Sequence, residues 1–338
     1  MCHLVLRDPS VLINGSLKLE SLASSTIEGT IASPNELLKA QVSHQYPREA
    51  ILEVANHEAS LRWGYEQIQT RPLAGSIILG LHDILLRGVR GKGPIGQFKT
   101  QQNAIADAGQ TFQSATYYPP DPLVTPDLMR DLEEYIAYPN KEEDPLVQVA
   151  LVHYQFESIH PFADGNGRVG RVIILLHMIK LGILSTPLIY PSVSIERHKN
   201  EYYDSLQRVR THGDWDGWVG YFARMVILAA KDTIKLTETL VRLKDHLSAE
   251  LPSVKRRAST MPVIEALFQA PVISIPEVAS QANITYNTAQ SVIEELETAG
   301  IVVEITGQRR SRMYVCTPVY ELIFGSRPDP SEPNHPRG

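Results

Sequence analysis

The sequence predicts a mainly α-helical protein, a helical bundle followed by a smaller C-terminal domain. Apolar residues recur at three- and four-residue steps from Leu146 to Ile159 and again from Val169 to Ile179. This spacing is typical of buried helices, and the glycine-rich stretch between them is a loop. After Pro262 the pattern changes to shorter helical segments and then two strand-like runs. The sequence therefore predicts one large helical domain and a separate C-terminal unit.

Length and composition exclude several classes of protein. The chain has 338 residues, 43% of them hydrophobic, which is enough for a large core and more than one domain. A net charge of −6 gives no global basic field for nucleic acid. Cys2 and Cys316 are far apart, which predicts a reducing compartment and no zinc site. No apolar run reaches transmembrane length and no signal-like start is present, so we expect a cytoplasmic protein without a membrane segment.

The N-terminal third predicts helices with one short polar motif. Residues 1–20 predict only an irregular or strand-like arm. Ser24 and Glu28 are four apart and share a face if their segment is helical, and Gly29 is placed to end that helix. Apolar stripes from 35 to 86 predict further helices.

The middle of the chain predicts a hairpin and then more helices. The polar interval 100–118 is bounded by prolines and predicts a β-hairpin, while Pro126 opens a helix. Tyr202 and Tyr203 are adjacent on a predicted helix, where aromatic residues are core by default. Apolar residues from 215 to 247 predict a long helix.

The loop between the two buried helices combines groups that bind phosphate. We call His160–Arg171, which reads H-P-F-A-D-G-N-G-R-V-G-R, the signature segment. Gly165 and Gly167 lie where the second helix begins, so free N–H groups and the positive end of the helix dipole face outward together. Arg168 and Arg171 share a face of the first turn and can bind further phosphate oxygens. The segment therefore predicts an anion site, and phosphate is the favoured anion.

Two further groups of the segment suggest chemistry at that phosphate. Asp164 lies beside the cationic cluster, where a carboxylate is useful if a divalent cation bridges it to the phosphates. His160 titrates near neutral pH and can take a proton from a hydroxyl. Each feature alone is commonplace: a histidine before proline is usually a turn residue, and two arginines on a helix usually face solvent. All of them within twelve residues favour a catalytic site.

The signature segment also resembles the signature of the Fic proteins, H-x-F-x-[DE]-G-N-G-R-x-x-R, at every fixed position. The resemblance covers roughly residues 20 to 250 and implies a Fic-type helical bundle. It also implies transfer of AMP from ATP to a Ser, Thr or Tyr hydroxyl of a protein, with Mg²⁺, releasing pyrophosphate. The implied roles are His160 as base, Asp164 as Mg²⁺ ligand, Gly165, Asn166 and Gly167 as the anion hole, Phe162 as an inward anchor, and Arg168 and Arg171 on the phosphates.

A second resemblance concerns the N-terminal motif, Ser24–Gly29. It matches the pattern [ST]-x-x-x-E-[GN] of the inhibitory helix in one class of Fic proteins. In those relatives the glutamate pairs with the second signature arginine, here Arg171. An arginine neutralised in this way cannot hold the γ-phosphate, so the nucleotide would bind in an unproductive pose. The resemblance thus implies that Glu28 is a brake.

Relatives also suggest what surrounds the nucleotide. A β-hairpin flap at about 100–120 would hold the target segment, although Asn103 to Ala106 departs from the more usual N-W-I-G. Ile105 of the flap and one of Tyr202 and Tyr203 would lie by the adenine. Relatives of a kinase-like branch carry lysine in place of Gly167, and the glycine here favours the adenylylating orientation.

The C-terminal domain predicts a winged helix. Two helices joined by a short turn are followed by strands at Ile301–Ile305 and Met313–Thr317. Arginines on the wing favour DNA, but three glutamates on the second helix oppose it, so protein interaction or structural support is preferred to DNA. The full prediction is an N-terminal helical region (1–95), a Fic core (96–250), a winged helix (251–325) and a disordered tail (326–338).

Several alternatives stay open at this point. The expected partners are a protein substrate, the chain itself through self-modification, and a second copy in a homodimer. One enzymatic rival is removal of AMP from a modified protein, because a glutamate placed like Glu28 can orient a hydrolytic water in some relatives. The rival from another class is a DNA-binding regulator whose Fic domain senses nucleotide.

Overall fold

The computed structural model describes residues 10–43, 45–89, 93–105, 112–250 and 257–325. Within these ranges the chain forms fourteen α-helices and one three-stranded sheet. The helices up to the signature segment are α1 (Ser10–Ile27), α2 (Pro34–Ser43), α3 (Glu49–Ile68), α4 (Gly75–Leu85), α5 (Thr125–Ala137) and α6 (Pro145–Ile159). Those that follow it are α7 (Asn166–Lys180), α8 (Pro191–Arg197), α9 (Lys199–His212), α10 (Trp215–Glu250) and α11 (Arg257–Gln269). The C-terminal elements are β1 (Val272–Ser274), α12 (Ile275–Gln281), α13 (Tyr286–Thr298), β2 (Val302–Glu304), β3 (Met313–Cys316) and α14 (Thr317–Phe324).

Two compact units divide the chain. One contains residues 20–31 and 52–230, and with them the whole signature segment. The other contains residues 1–19, 32–51 and 231–338. The four chain-order domains expected from the sequence stay a prediction, and the expected tail 326–338 lies outside the described residues.

Helices α6 and α7 form the centre of the first unit. Both are buried on most faces, and Val149, Phe156, Val172 and Leu176 are almost completely buried. Asp144 starts α6 by accepting a hydrogen bond from the Leu146 N–H at 2.8 Å. A helix that is hydrophobic on every face is stable only when neighbours cover it. The signature segment is therefore presented by two helices that packing holds on all sides.

Helix α1 begins much earlier than the sequence predicted. The arm expected over residues 1–20 is helical from Ser10, and the helix continues to Ile27. Its buried face mixes Leu12 and Leu17 with polar residues such as Ser16 and Glu20. The buried serines and glutamate break the apolar periodicity, which hid the helix from pattern reading.

The predicted hairpin is represented by one pairing. Ile105 and Tyr117 form an isolated antiparallel bridge, in which the Ile105 N–H donates to Tyr117 O at 2.9 Å and the Tyr117 N–H donates back at 3.1 Å. A short 3₁₀ turn covers Phe112–Ser114. The tip at 106–111 lies outside the described residues.

The C-terminal elements include an antiparallel sheet in the order β1-β3-β2. The strands β2 and β3 correspond closely to the two predicted from the sequence, whereas β1 was missed because its three residues offer too short a pattern. Leu38 of α2 packs into the same core as Val272, Val315 and Tyr320. The winged-helix assignment stays a prediction.

Within the described ranges, no helix is both long enough and apolar enough to cross a membrane.

Candidate active site

The loop part of the signature segment, residues 160–165, starts and ends in left-handed backbone. His160 ends α6 with φ 49° and ψ 59°, and its N–H donates to Phe156 O at 2.9 Å. Gly165 precedes α7 with φ 79°, a conformation that favours glycine. No side chain caps the N-terminus of α7, so its first-turn N–H groups and dipole are available to an anion.

The middle of the segment is anchored in the core. Phe162 is fully buried and stacks on the His82 ring, with centroids 3.9 Å apart. The Gly96 N–H donates to His82 Nδ1 at 2.9 Å, so Nε2 carries the proton and donates to Asp164 O at 3.1 Å. Asn166 uses its side chain structurally, because its amide donates to Phe162 O and accepts from the Phe162 N–H, both at 2.8 Å. The Asn166 side chain therefore holds the loop, and its backbone belongs to the first turn of α7.

Arg171 is buried, and its guanidinium donates hydrogen bonds to two residues of the N-terminal motif. Its Nε donates to Ser24 Oγ at 2.9 Å, and one terminal nitrogen donates to Ser24 O at 2.8 Å and to Glu28 Oε1 at 2.6 Å. The arginine side chain is 1% exposed and that of Glu28 35%. Burial would raise the pKa of Glu28, but the charge of Arg171 and its hydrogen bond bring that pKa below the usual value. The pair is therefore ionised at neutral pH.

Glu28 also borders the helix N-terminus itself. A Cβ built on Gly167 would overlap Glu28 Oε1 and would lie 3.0 Å from a terminal nitrogen of Arg171. The carboxylate thus occupies the space in front of the second residue of α7. This is where the dipole and the free N–H groups favour negative charge most.

Arg168 is held by a different carboxylate. Its side chain is nearly buried, and one terminal nitrogen donates to Glu53 Oε2 at 2.9 Å while the other lies 3.4 Å from Asp164 Oδ1. Glu53 also accepts a 2.6 Å hydrogen bond from the hydroxyl of Thr30, the residue that directly follows the end of the motif at Gly29. Sequence reasoning missed Glu53, because it lies 115 residues from Arg168 in the chain and no local spacing connects them.

The donor set beside Asp164 fits a magnesium ion that is shared with phosphates. Asp164 is 40% exposed, and its Oδ1 accepts from the Gly165 N–H at 2.6 Å. Mg²⁺ is commonly held by one or two carboxylates together with substrate phosphates and waters, so one exposed carboxylate next to an anion site is sufficient. A cage of three or more His, Cys, Asp or Glu side chains is absent from the described ranges.

His160 is neutral at physiological pH. Burial, followed by the positive charge of Lys99, lowers the pKa of its imidazole to about 4. Its ring Nδ1 is buried without a hydrogen-bond partner. An unprotonated imidazole at the entrance of an anion site can accept a proton from a hydroxyl brought to that anion.

The residues expected near the adenine are only partly accessible. Tyr202 is buried and its hydroxyl lies 2.8 Å from His153 Nε2, whereas Tyr203 is 42% exposed. Ile105 takes part in the bridge to Tyr117. Of the two tyrosines, Tyr203 alone has a surface that a ligand can stack on.

The fold and this geometry define a helical protein with an anion site at the start of a buried helix. Two family models match the chain: Fic/DOC family over residues 72–178 and Fic/DOC family N-terminal over residues 1–66. The chain belongs to the Fic/DOC family.

Curated relatives share part of the chain. Protein adenylyltransferase fic-1 from Caenorhabditis elegans is 32% identical over 123 residues, which are 35% of this chain and 23% of that protein. Protein adenylyltransferase Fic from Aedes aegypti is 33% identical over 112 residues, which are 32% of this chain and 20% of that protein. The chain thus spans about a quarter or less of the length of these relatives.

Solved structures share the fold. A Fic family protein from Desulfovibrio desulfuricans superposes with a TM-score of 0.55 and 21% identity, covering 90% of this chain and 87% of that one. A Fic domain containing signaling protein from Bacteroides thetaiotaomicron gives a TM-score of 0.57 and 22% identity, covering 69% and 91%. The mainly helical fold class predicted from the sequence is confirmed by these matches.

Proposed function

We propose that this chain transfers AMP from ATP to a Ser, Thr or Tyr hydroxyl of a protein. The observation that carries the proposal is the arrangement of the signature segment. It puts a neutral histidine, an uncapped helix N-terminus and two buried arginines within twelve residues. The curated relatives that are named protein adenylyltransferases support it.

The chemical step uses the two ends of the segment differently. The acceptor hydroxyl gives its proton to His160 while its oxygen bonds to the α-phosphorus. The bond from the α-phosphorus to the bridging oxygen breaks, and pyrophosphate leaves with the electron pair. The first-turn N–H groups of α7 and Arg168 stabilise the negative charge that develops on the phosphates. Asp164 would hold Mg²⁺ there, and a bound Mg²⁺ would neutralise charge on the phosphates.

The restraint by Glu28 is part of the proposal. With Arg171 committed to Ser24 and Glu28, the γ-phosphate lacks its cationic partner, and the Glu28 carboxylate repels phosphate oxygens near Gly167. ATP then binds out of line for the attack. Displacement of Glu28 frees Arg171 and permits transfer, including self-modification.

A labelling experiment tests this function. The chain and its Glu28→Gly variant are incubated with α-labelled and, separately, γ-labelled ATP, alone and with a cell lysate. We expect label from the α-phosphate only, more of it in the variant, and loss of it with His160→Ala. Incorporation from the γ-phosphate, or none from either by folded protein, would contradict the proposal.

AMP removal is a second candidate, favoured by the position of Glu28. Its carboxylate lies at the anion site beside Gly167, where it can orient a water. Release of AMP from pre-labelled protein that requires Glu28 would support removal.

We further propose the winged helix as an interaction module. Arg309, Arg310 and Arg312 are exposed near β2 and β3, whereas Glu294 and Glu297 are exposed on α13. The mixed charge fits a protein partner better than a DNA backbone. Salt-dependent gel shifts test the DNA alternative, and the sedimentation of the purified chain tests the expected homodimer.

A further inference from the structure

Four successive carbonyls at the entrance of the signature segment accept hydrogen bonds from two residues, Lys99 and Asn103, and the last of these carbonyls also accepts one from Asn166. Lys99 lies just before the predicted flap and Asn103 lies among its first residues, and the carbonyls belong to residues 159–162. Lys99 Nζ donates to Ile159 O at 3.3 Å, Asn103 Nδ2 to His160 O at 3.1 Å, the Lys99 N–H to Pro161 O at 2.8 Å, and Asn103 Nδ2 to Phe162 O at 2.9 Å.

These two residues also fix each other. Lys99 Nζ donates to Asn103 Oδ1 at 2.8 Å, so the side-chain oxygen of the asparagine is engaged together with its nitrogen. Lys99 is 3% exposed although it carries a charge. A buried ammonium requires hydrogen-bond acceptors on several sides, and the carbonyl of Ile159, the last residue of α6, supplies one of them. Lys99 and Asn103 therefore restrict each other's side-chain conformation, because moving either side chain breaks the hydrogen bond between them.

The backbone held in this way is one that the local sequence disfavours. His160 has φ 49°, which is uncommon for a residue with a side chain. A following proline, here Pro161, favours extended backbone at the residue before it. A conformation against both preferences persists only where surrounding contacts determine it, and such positions are concentrated at functional sites.

We propose that Lys99 and Asn103 are positioning residues, which hold the backbone of His160 so that its imidazole stays at the entrance of the anion site. The inference rests on the proposed transfer of AMP and deepens it. Neither residue needs to touch ATP or the acceptor. Both act through the carbonyls on either side of the Cα that carries the imidazole.

Electrostatics give Lys99 a second effect on the same ring. Besides burial, its charge lowers the pKa of His160, as does that of Arg210 on α9. Glu28, the residue that follows α1, acts in the opposite sense. Removing the charge of Lys99 should therefore raise the pKa of His160 and move the acid limb of the rate profile to higher pH.

Gln102 offers a matched control. It is an amide next to Asn103, but its Nε2 donates to Asn103 O and Pro119 O within the flap region, not to the signature segment. Gln102→Ala therefore disturbs the base of the flap and leaves the carbonyls of 159–162 held.

The kinetic test uses Asn103→Asp, Lys99→Met and Gln102→Ala, each in the Glu28→Gly chain. The rate of AMP incorporation is measured against ATP concentration and pH. We expect Asn103→Asp to lower the maximal rate about ten- to a hundredfold, as a misplaced catalytic group does, with little change in half-saturating ATP. Lys99→Met should shift the acid limb upward. Gln102→Ala should leave the acid limb where it is in the parent and should lower the maximal rate less than Asn103→Asp does, because it removes hydrogen bonds within the flap region only. A rate loss explained wholly by weaker ATP binding, or an Asn103→Asp variant equal to Gln102→Ala, would overturn the inference.

A readout without activity separates this inference from the transfer reaction. In histidine-labelled protein, the His160 ¹³Cα shift reports its left-handed backbone, and the His160→Ala spectrum assigns that signal. Asn103→Asp, or Asn103→Ser if the aspartate variant does not fold, should move the shift, and Gln102→Ala should not. An unmoved shift contradicts the positioning role. Absence of labelling by every folded variant, with the shift moved, contradicts the transfer function alone.

Discussion

The two ends of the signature segment are stabilised by different kinds of contact. At the entrance, hydrogen bonds from the side chains of Lys99 and Asn103 hold backbone carbonyls. At the helical end, Arg168 and Arg171 are held by the carboxylates of Glu53 and Glu28. No substrate group would replace the backbone carbonyls as partners of Lys99 and Asn103. A phosphate, in contrast, can replace the carboxylate that pairs with an arginine. The proposed proton acceptor, His160, is thus held in place before any substrate binds, whereas the arginine contacts proposed to bind phosphate can be exchanged.

Loss of His160 should have the largest effect. In the Glu28→Gly chain, His160→Ala should lower AMP transfer by about 10²- to 10⁴-fold, because the general base is gone. Labelling rates are compared at equal protein concentration, with thermal unfolding as the check of folding. Labelling that persists unchanged in a folded variant would remove the entrance from the chemistry and break the comparison.

Release of the helical end should act in the opposite direction. Glu28→Gly frees Arg171, and a charge-assisted hydrogen bond contributes roughly 1.5–3 kcal/mol, so a gain of about ten- to a hundredfold is expected. Because Glu28 is 35% exposed, the lower end of that range is favoured. Self-labelling of the single variant against the parent measures it.

The double variant tests whether that gain passes through Arg171. Glu28→Gly combined with Arg171→Ala should lose the activation, since the liberated guanidinium no longer exists. This non-additivity distinguishes an exchangeable pair from general loosening of α1. Full activation in the double variant would show that Glu28 acts by another route.

The dependence of labelling on Mg²⁺ tests the proposed role of Asp164 at the helical end. Asp164→Ala should raise the Mg²⁺ concentration needed for half-maximal labelling about tenfold, a common result of weakening a metal site. Mg²⁺ is titrated at fixed ATP in the Glu28→Gly chain. A normal titration curve would exclude Asp164 as the ligand.

As the pH falls, the contribution of His160 to stability should decline before that of Glu28. The folded pKa of His160, about 4, lies below its usual 6.5, so the unfolded chain binds the proton first as the pH falls. Its contribution to stability is complete above pH 6.5 and declines between 6.5 and 4, on the order of 1 kcal/mol per pH unit. The pKa of Glu28 is also lowered, so its contribution is lost only below about 4.5. Urea unfolding at pH 7 and pH 5 should show a smaller loss in His160→Asn than in the parent; an equal loss would assign the acid sensitivity to the other buried histidines.

The sequence was sufficient to place the loop of the candidate site between two helices. It did not reveal the contacts that residues distant in the chain make with that loop. The loop between two buried helices followed from apolar periodicity and from glycine at the helix start. The role of the Ser24–Gly29 motif came from resemblance, and spacing alone gave only a short helix. Glu53, Lys99 and Asn103 were missed as contacts because only the tertiary fold brings them to the segment. Sequence periodicity relates residues of the same helix or strand. It gives no information on contacts between residues about 60 to 115 positions apart.

The absent side chain at Gly167 limits how this protein can change by mutation. Even a methyl group there would overlap the Glu28 carboxylate. A substitution at this position therefore displaces Glu28 whatever else it does to the bound nucleotide. In a chain restrained as proposed, a mutation at position 167 that changed the nucleotide orientation would also remove the restraint by Glu28. The proposed reaction and its proposed regulation are thus linked through one residue position.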